Sequence, residues 1–331
     1  MNQPAPAADQ TERRTTVKDW LSLLRIANLP SALANILLGF LFVNLSWTPV
    51  HLLATLLGSS ACLYMAGMVL NDVFDVEVDR QQNRGRPIPA GRISLGAARN
   101  LGIGLLIGGV GFAWLADFFS PESGLRSTLV AVAIAVCVIL YDGPMKRTPL
   151  APVLMGACRT LNILLGASAM PAALIGSVAV PVLGWPASVF WVAISVGLLI
   201  TGITWFARNE AGVNTRSQLI PAAVVLALGL IGIGAVVLAP GDQPKFSNQF
   251  AMMFPLMIAL ISVTVVRRVV VAIAMLDGRS IQMAVISVLR SLIVLDASVC
   301  FLIQPQSPFY AIAVLGLLVP GILLGKWFRE T

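Results

Sequence analysis

A helix that crosses the roughly 30 Å hydrocarbon core of a bilayer needs about 20 consecutive apolar residues, and this chain of 331 residues contains ten such windows. They fall near residues 26–46, 50–71, 96–118, 125–141, 153–175, 185–206, 219–238, 250–266, 281–303 and 310–327. No other feature limits the fold so tightly. With 57% hydrophobic residues, 11% charged residues and a mean hydropathy of +0.87, the chain lies outside the soluble globular range. The windows predict an all-α, polytopic transmembrane bundle of nine or ten spans.

Residues 1–16 are polar and rich in Pro and Ala, unlike a cleaved signal. The expected organisation is a disordered cytoplasmic tail over 1–18 and one transmembrane domain over 19–331. The stretch "VKDWLSLLRIANLP" reads as a short interfacial helix, with Trp20 and the leucines on lipid and Lys18 and Arg25 among headgroups. Basic residues set the orientation. With the N-terminus in the cytoplasm, 18 of the 22 Lys and Arg fall on that side, against only Arg126 and Lys245 on the other; Arg159 and Arg290 lie within spans. The expectation is a multi-pass protein of the cytoplasmic (inner) membrane, both termini inside. This asymmetry accounts for the net charge of +7 through contact with membrane lipids, and no nucleic-acid partner is needed. Cys62, Cys137, Cys158 and Cys300 fall in apolar windows without CxxC spacing, and read as small buried hydrophobes. The lone His51 lacks companions for a metal site. Glycines in "GLLIGGVGF" and "GLIGIGAV" read as close helix packing.

One stretch breaks the apolar pattern: "LYMAGMVLNDVFDVEVDRQQNRGRPIPAGRIS" runs straight from the second window into four acids and a row of arginines. Asn71, Asp72, Asp75 and Asp79 recur at helical spacing and would share one face, with Glu77 pointing elsewhere. Like charges one turn apart repel, so something cationic belongs among them. Oxygen ligands with open positions suit Mg²⁺, which binds through one or two carboxylates plus substrate phosphates. Such an ion, with Arg80, Arg84, Arg86 and Arg92 nearby, would grip a diphosphate from both ends. The plainer reading is a set of acids paired with the arginines in an exposed loop.

"NDVFDVEVD" followed by "RPIPAGRIS" resembles the first aspartate-rich motif, and the loop after it, of the UbiA superfamily of intramembrane prenyltransferases. "YDGPMKRTPLAPVLMGACRTLNILLGAS" resembles that family's segment between the fourth and fifth helices. The resemblance implies a helical bundle around a cavity open to the cytoplasm. It also implies Mg²⁺ as cofactor, a polyprenyl diphosphate as donor and an aromatic or lipid acceptor. By the same resemblance, Asp72, Asp75 and Asp79 would hold metal and diphosphate with Asn71, and Arg86 would lie beside them. Lys146 would reach the diphosphate, and Tyr141, Arg159 and Asn162 would line the cavity. An Arg within a span, such as Arg159, should in any case face a cavity or an anionic partner. Arg290 and Asp296, six apart, share no helix face, so each should find another helix or the cavity.

The pattern departs from the family after the sixth window. In "GITWFARNEAGVNTRSQLIP", Thr204 and Arg208 stand where two aspartates are expected, and only Glu210 is acidic. Arg208 would repel a second Mg²⁺ yet bind diphosphate oxygens. This combination most resembles the EboC-type branch. Three functions stay open: a prenyltransferase using one metal and an arginine, a non-catalytic isoprenoid- or lipid-binding component of a biosynthesis or export system, and a secondary transporter. The last predicts a repeated half and broken helices at mid-membrane, and no repeat is visible.

Overall fold

The computed structural model describes residues 15–82, 85–170, 184–208, 215–239 and 248–329, and all ten apolar windows appear in it as helices. A short helix α1 (Val17–Leu23) precedes α2 (Leu29–Asn44) and α3 (Val50–Phe74). The helices α4 (Val76–Gln82), α5 (Leu95–Phe119), α6 (Arg126–Asp142), α7 (Ala151–Gly166) and α8 (Ala187–Ala207) follow. The remainder is α9 (Arg216–Gly234), α10 (Asn248–Met275), α11 (Gly278–Ile303), α12 (Phe309–Gly316) and α13 (Leu318–Arg329).

Among the described residues, eight helical segments are long and apolar enough to cross a membrane, which makes this an integral membrane protein. Two windows give shorter helices, α6 with 17 residues and α7 with 16; the end of the latter window lies outside the described residues. The last window is one segment in length but two helices in geometry, interrupted at Leu317.

Capping side chains fix several helix starts. Ser94 accepts from the Ala97 amide at 3.2 Å and Asp277 from the Ser280 amide at 2.8 Å. The start of α6 is capped from a distance: Asp117 on α5 accepts from the amides of Ser127 and Thr128 at 2.9 and 2.8 Å. The orphan donors of a helix end in apolar surroundings are thereby satisfied.

Small residues let the spans approach, since apolar solvation cannot drive helices together in lipid. A Cβ on Gly109 would lie 2.6 Å from Leu63, and one on Gly229 would lie 2.5 Å from the Leu199 amide nitrogen. Both glycine-rich stretches therefore act in packing, as expected, although Gly104 and Gly111 face open space. The apolar flanks of α5 (Ile107, Trp114, Phe118) and α10 (Met252, Leu256, Leu260) are left for lipid. The four cysteines are free, and only Cys300 is fully buried, so the expectation of four buried hydrophobes holds for one.

The expected interfacial helix forms as α1, starting at Val17 where the quoted stretch begins and ending at Leu23, with Thr16 and Asp19 in a capping box. Its apolar face, however, meets protein and not lipid. Leu23 is fully buried with Val69, Val76, Ile88 and Ile93, and Trp20 and Leu24 pack on that cluster. Asp19 donates the counter-charge: its Oδ1 lies 2.6 Å from Arg92 Nε. Burial alone would raise the Asp19 carboxyl, but hydrogen bonds from Thr16 and the Arg92 guanidinium hold it below the ordinary aspartate value.

Candidate active site

The acid-rich stretch does not form one continuous helix. α3 ends at Phe74, Asp75 caps it with φ −85° and ψ 0°, and α4 restarts at Val76. The break divides the acids into two groups. Asn71 and Asp75 turn toward a central cavity, whereas Asp72 and Asp79, only 5% and 3% exposed, face a pair of arginines. Arg86 Nη1 lies 3.3 Å from Asp72 Oδ1 and 2.5 Å from Asp79 Oδ2, and Arg25 Nη2 lies 2.7 Å from Asp72 Oδ1. Arg25 reaches inward because its own backbone is left-handed (φ +46°) at the bend between α1 and α2, so it is an internal counter-ion and not a headgroup contact. Glu77 points out, as expected, and pairs with Arg80 at 2.7 Å.

The cavity encloses about 590 Å³ between α2, α3, α6, α7, α8, α11 and α13. Its polar mouth gathers Asn71, Asp75, Tyr141, Asp142 and Lys146. Lys146 Nζ pairs with the Asp75 carboxylate, and the Asn71 amide donates to Asp142 Oδ1 at 3.2 Å. A second polar layer lies on α7. Arg159 donates to Ser31 Oγ at 3.0 Å and to Asn35 Oδ1 at 3.3 Å, and the Asn35 amide donates onward to Asp296 Oδ2 at 2.7 Å. Asn162 accepts from Ser60 Oγ at 2.7 Å and donates to the Ala32 carbonyl at 2.8 Å. Leu63, Met68, Val138, Met155, Ile200, Ile203 and Leu289 supply apolar walls. An amphiphile with an anionic head fits this division: basic groups for the head, hydrocarbon for the tail.

The structure brings together Asn71, Asp75, Tyr141, Lys146, Arg159 and Asn162. It does not bring Asp72 and Asp79 with them, because the turn at Asp75 and the pull of Arg86 direct both carboxylates sideways. Among the described residues no three His, Cys, Asp or Glu side chains form a metal-holding group, so the expected trio of Asp72, Asp75 and Asp79 is not assembled. The donors at the mouth, Asp75, Asp142 and the Asn71 amide oxygen, suit Mg²⁺ nevertheless, since that ion takes one or two protein carboxylates and leaves other positions to phosphate and water. Arg208 is turned away: its Nη2 donates to the Arg147 carbonyl at 2.7 Å. Thr204 lines the cavity, and Glu210 lies outside the described residues. Arg290 faces the cavity and Asp296 packs behind it, the separation their spacing requires.

Sequence reasoning missed Asp142, Arg25, Ser31 and Asn35. Asp142 had a signal, since it sits beside Tyr141 at the end of an apolar window. Ser31 and Asn35 are one turn apart in the first window, and their spacing puts them on one face.

A family model described as the UbiA prenyltransferase family matches residues 32–276. A digeranylgeranylglyceryl phosphate synthase of Methanoculleus marisnigri is 34% identical over 134 residues, 40% of this chain and 45% of the relative. Its counterpart in Saccharolobus solfataricus is 33% identical over 135 residues, again 40% and 45%. The chain thus spans about half the length of the curated relatives it matches. Among solved structures, a UbiA homolog from Archaeoglobus fulgidus bound to DMAPP and Mg²⁺ superposes with a TM-score of 0.59 at 17% identity, covering 90% of this chain and 99% of that one. A digeranylgeranylglyceryl phosphate synthase structure gives 0.59 at 18% identity, covering 91% and 99%. These likenesses establish a shared helical fold.

Proposed function

Since the chain belongs to the UbiA prenyltransferase family, we propose that it is a Mg²⁺-dependent intramembrane prenyltransferase, moving a prenyl group from an isoprenoid diphosphate to an aromatic or lipid acceptor. The observation that carries this reading is a central cavity with a charged mouth and apolar walls. The named product of the sequence relatives and the DMAPP and Mg²⁺ of the structural neighbour support it from outside the chain.

Asn71, Asp75 and Asp142 would hold the ion, which when bound supplies positive charge against the leaving diphosphate. Lys146, now paired with Asp75, is placed to donate to the diphosphate oxygens once that carboxylate turns to the metal. Arg25 stands beside it on the same rim. The allylic C–O bond breaks, its electron pair leaves with the diphosphate, and these donors stabilise the charge as it develops. Tyr141, Met68 and Met155 line the wall where the prenyl group would lie, offering polarizable and π surfaces to a carbocation-like centre. The acceptor attacks that carbon and passes its proton to the departing diphosphate, and the dry walls keep water from competing.

The excess of basic residues on one side supports placement in the cytoplasmic membrane with the mouth of the cavity and the N-terminus inside. The non-acidic end of α8 supports the EboC-type branch. It also favours a second reading, an isoprenoid-binding component without turnover, because Thr204 brings no carboxylate to the cavity.

The deciding experiment is calorimetric titration of purified protein with geranylgeranyl diphosphate, with and without Mg²⁺, beside the variant Asp75→Ala. Mg²⁺-dependent binding lost in the variant, with diphosphate released over time, is the expected result. Binding without release in the presence of acceptors would favour the second reading, and the absence of Mg²⁺-dependent binding would overturn both.

A further inference from the structure

Four basic side chains line the cavity: Arg25, Lys146, Arg159 and Arg290. Three are engaged by protein. Arg25 pairs with Asp72 and Lys146 with Asp75, and Arg159 is held by Ser31 and Asn35 with Asp296 behind them. Of these four, Arg290 alone has neither an ion pair nor a hydrogen bond to a described residue, and its side chain is exposed and lines the cavity.

Its position makes that isolation costly. Arg290 lies in the interior of α11, a span of 26 residues, six residues before Asp296, or about 9 Å along the helix axis. Its helical neighbours lining the cavity are Ile286, Leu289 and Ile293, and α13 contributes Leu318 and Ile322 to the same cavity. A guanidinium on an apolar segment with no partner needs an anion. Among the described residues none pairs with it. The diphosphate end of the cavity is built elsewhere, by residues at the ends of α3 and α6, whereas α11 packs on α2, α10 and α12.

We infer that Arg290 takes the oxyanion of the acceptor, so that the acceptor is an amphiphile with a phosphate or carboxylate head and an apolar tail lying along α11 and α13. This rests on the prenyl-transfer reading. Guanidinium is suited to the task because its planar fork meets either oxyanion with two parallel hydrogen bonds. The aliphatic collar around it would accept hydrocarbon, and the donor would keep Lys146 and Asp75 to itself. Arg290 is then a specificity-determining residue that sorts acceptors by charge.

The test uses the full-length protein in neutral nanodiscs, with phosphatidic acid and diacylglycerol of the same acyl chains as a charged and uncharged pair. Geranylgeranyl diphosphate with Mg²⁺ is titrated in parallel. Expected for Arg290→Gln is a loss of about tenfold or more in phosphatidic acid affinity, partial rescue in Arg290→Lys, and unchanged affinity for diacylglycerol and for the diphosphate. Retained diphosphate binding also certifies the fold of the variant. Equal loss of diphosphate affinity would overturn the inference by making Arg290 part of the donor site. Unchanged phosphatidic acid affinity would overturn it too, as would displacement of that lipid by inorganic phosphate at comparable concentration, which would assign the arginine to a soluble anion. If the diphosphate fails to bind wild-type protein as well, the transferase reading falls, while the difference between the two lipids still reports on Arg290 alone.

Discussion

The C-terminal ends of α3 and α8 close over the same cavity, yet one is an acidic cluster and the other has no acid among its described residues. At the end of α3, Asp72, Asp75 and Asp79 are each matched to a cation from a different element: Arg25 from the α1–α2 bend, Arg86 from the loop after α4, Lys146 from the loop after α6. At the end of α8, Thr204 and Ala207 reach the cavity and Arg208 bonds a carbonyl outside it. The difference teaches that, among the described residues, charge at the cavity rim is one-sided, and under the proposed function head-group recognition would be one-sided too. The α3 flank carries a loaded electrostatic device, while the α8 flank is a wall. Salt bridges whose cations stay partly exposed while most of their carboxylates are buried offset the cost of desolvation with little to spare, so their presence at the α3 end is better explained by use than by stability.

The comparison predicts very unequal effects of substitution. Asp75→Ala should lower prenyl transfer by about three orders of magnitude, the scale seen when charge-stabilising groups are removed from a site. Thr204→Ala should change it less than threefold. Rates of diphosphate release decide the matter, and comparable losses in the two variants would erase the asymmetry. Lys146→Met comes next, with a loss of about a hundredfold in kcat/KM. Its donor KM should rise as well, since Lys146 meets the diphosphate in the ground state.

How much of this was legible in the sequence depends on whether the signal was local. All ten apolar windows became helices because segment length and composition are properties of the segment itself. Arg159 and Asn162 reached the cavity, since a polar group in a span has few other places to go, and Lys146 reached it from the loop after α6, where the resemblance to the family had placed a diphosphate contact. The helix break at Asp75 was not legible: "NDVFDVEVD" holds neither Pro nor Gly, and its spacing continues through the break as if the helix did. Asp72 and Asp79 were therefore read as facing the same way as Asp75. What separates them is Arg86, a tertiary partner whose approach no periodicity encodes. Arg25 was misplaced for the same reason, because its inward path depends on one left-handed residue.

The asymmetry can also be sharpened by rebuilding the missing half. Thr204→Asp combined with Arg208→Asp puts one carboxylate at a position that lines the cavity and replaces the arginine that now donates to the Arg147 carbonyl with another. If the α8 flank is a wall only for want of acids, the double variant should reach half-maximal binding of geranylgeranyl diphosphate at a Mg²⁺ concentration several-fold lower, on the order of 1 kcal/mol of added ion affinity. A rise in the Mg²⁺ requirement would mean that Arg208 helps to hold the diphosphate. Arg86→Met tests the other flank for stability: it leaves Asp72 and Asp79 facing each other without their shared cation, which should cost about 1–3 kcal/mol and lower the unfolding temperature measured in detergent.

The smallest effect concerns how the acidic flank is braced. Asp19 on α1 binds Arg92, on the same loop as Arg86, at 2.6 Å. Burial opposes ionisation of Asp19, but the Thr16 hydrogen bonds and Arg92 hold its carboxyl below the ordinary value, about 3.9 for an unstructured aspartate. A group depressed in this way contributes its full stabilisation above the unfolded value and loses it as the pH falls through the lower, folded one. Fluorescence of Trp20, which packs on the same cluster, should therefore stay constant from neutral pH down to about pH 4 and report α1 loosening only below it. In Asp19→Asn the acid-dependent step should vanish, leaving α1 equally loose throughout. If wild type instead loosens well above pH 4, the Asp19–Arg92 contact is not what holds α1 against the acidic flank, and the bracing belongs to Leu23 and its apolar neighbours alone.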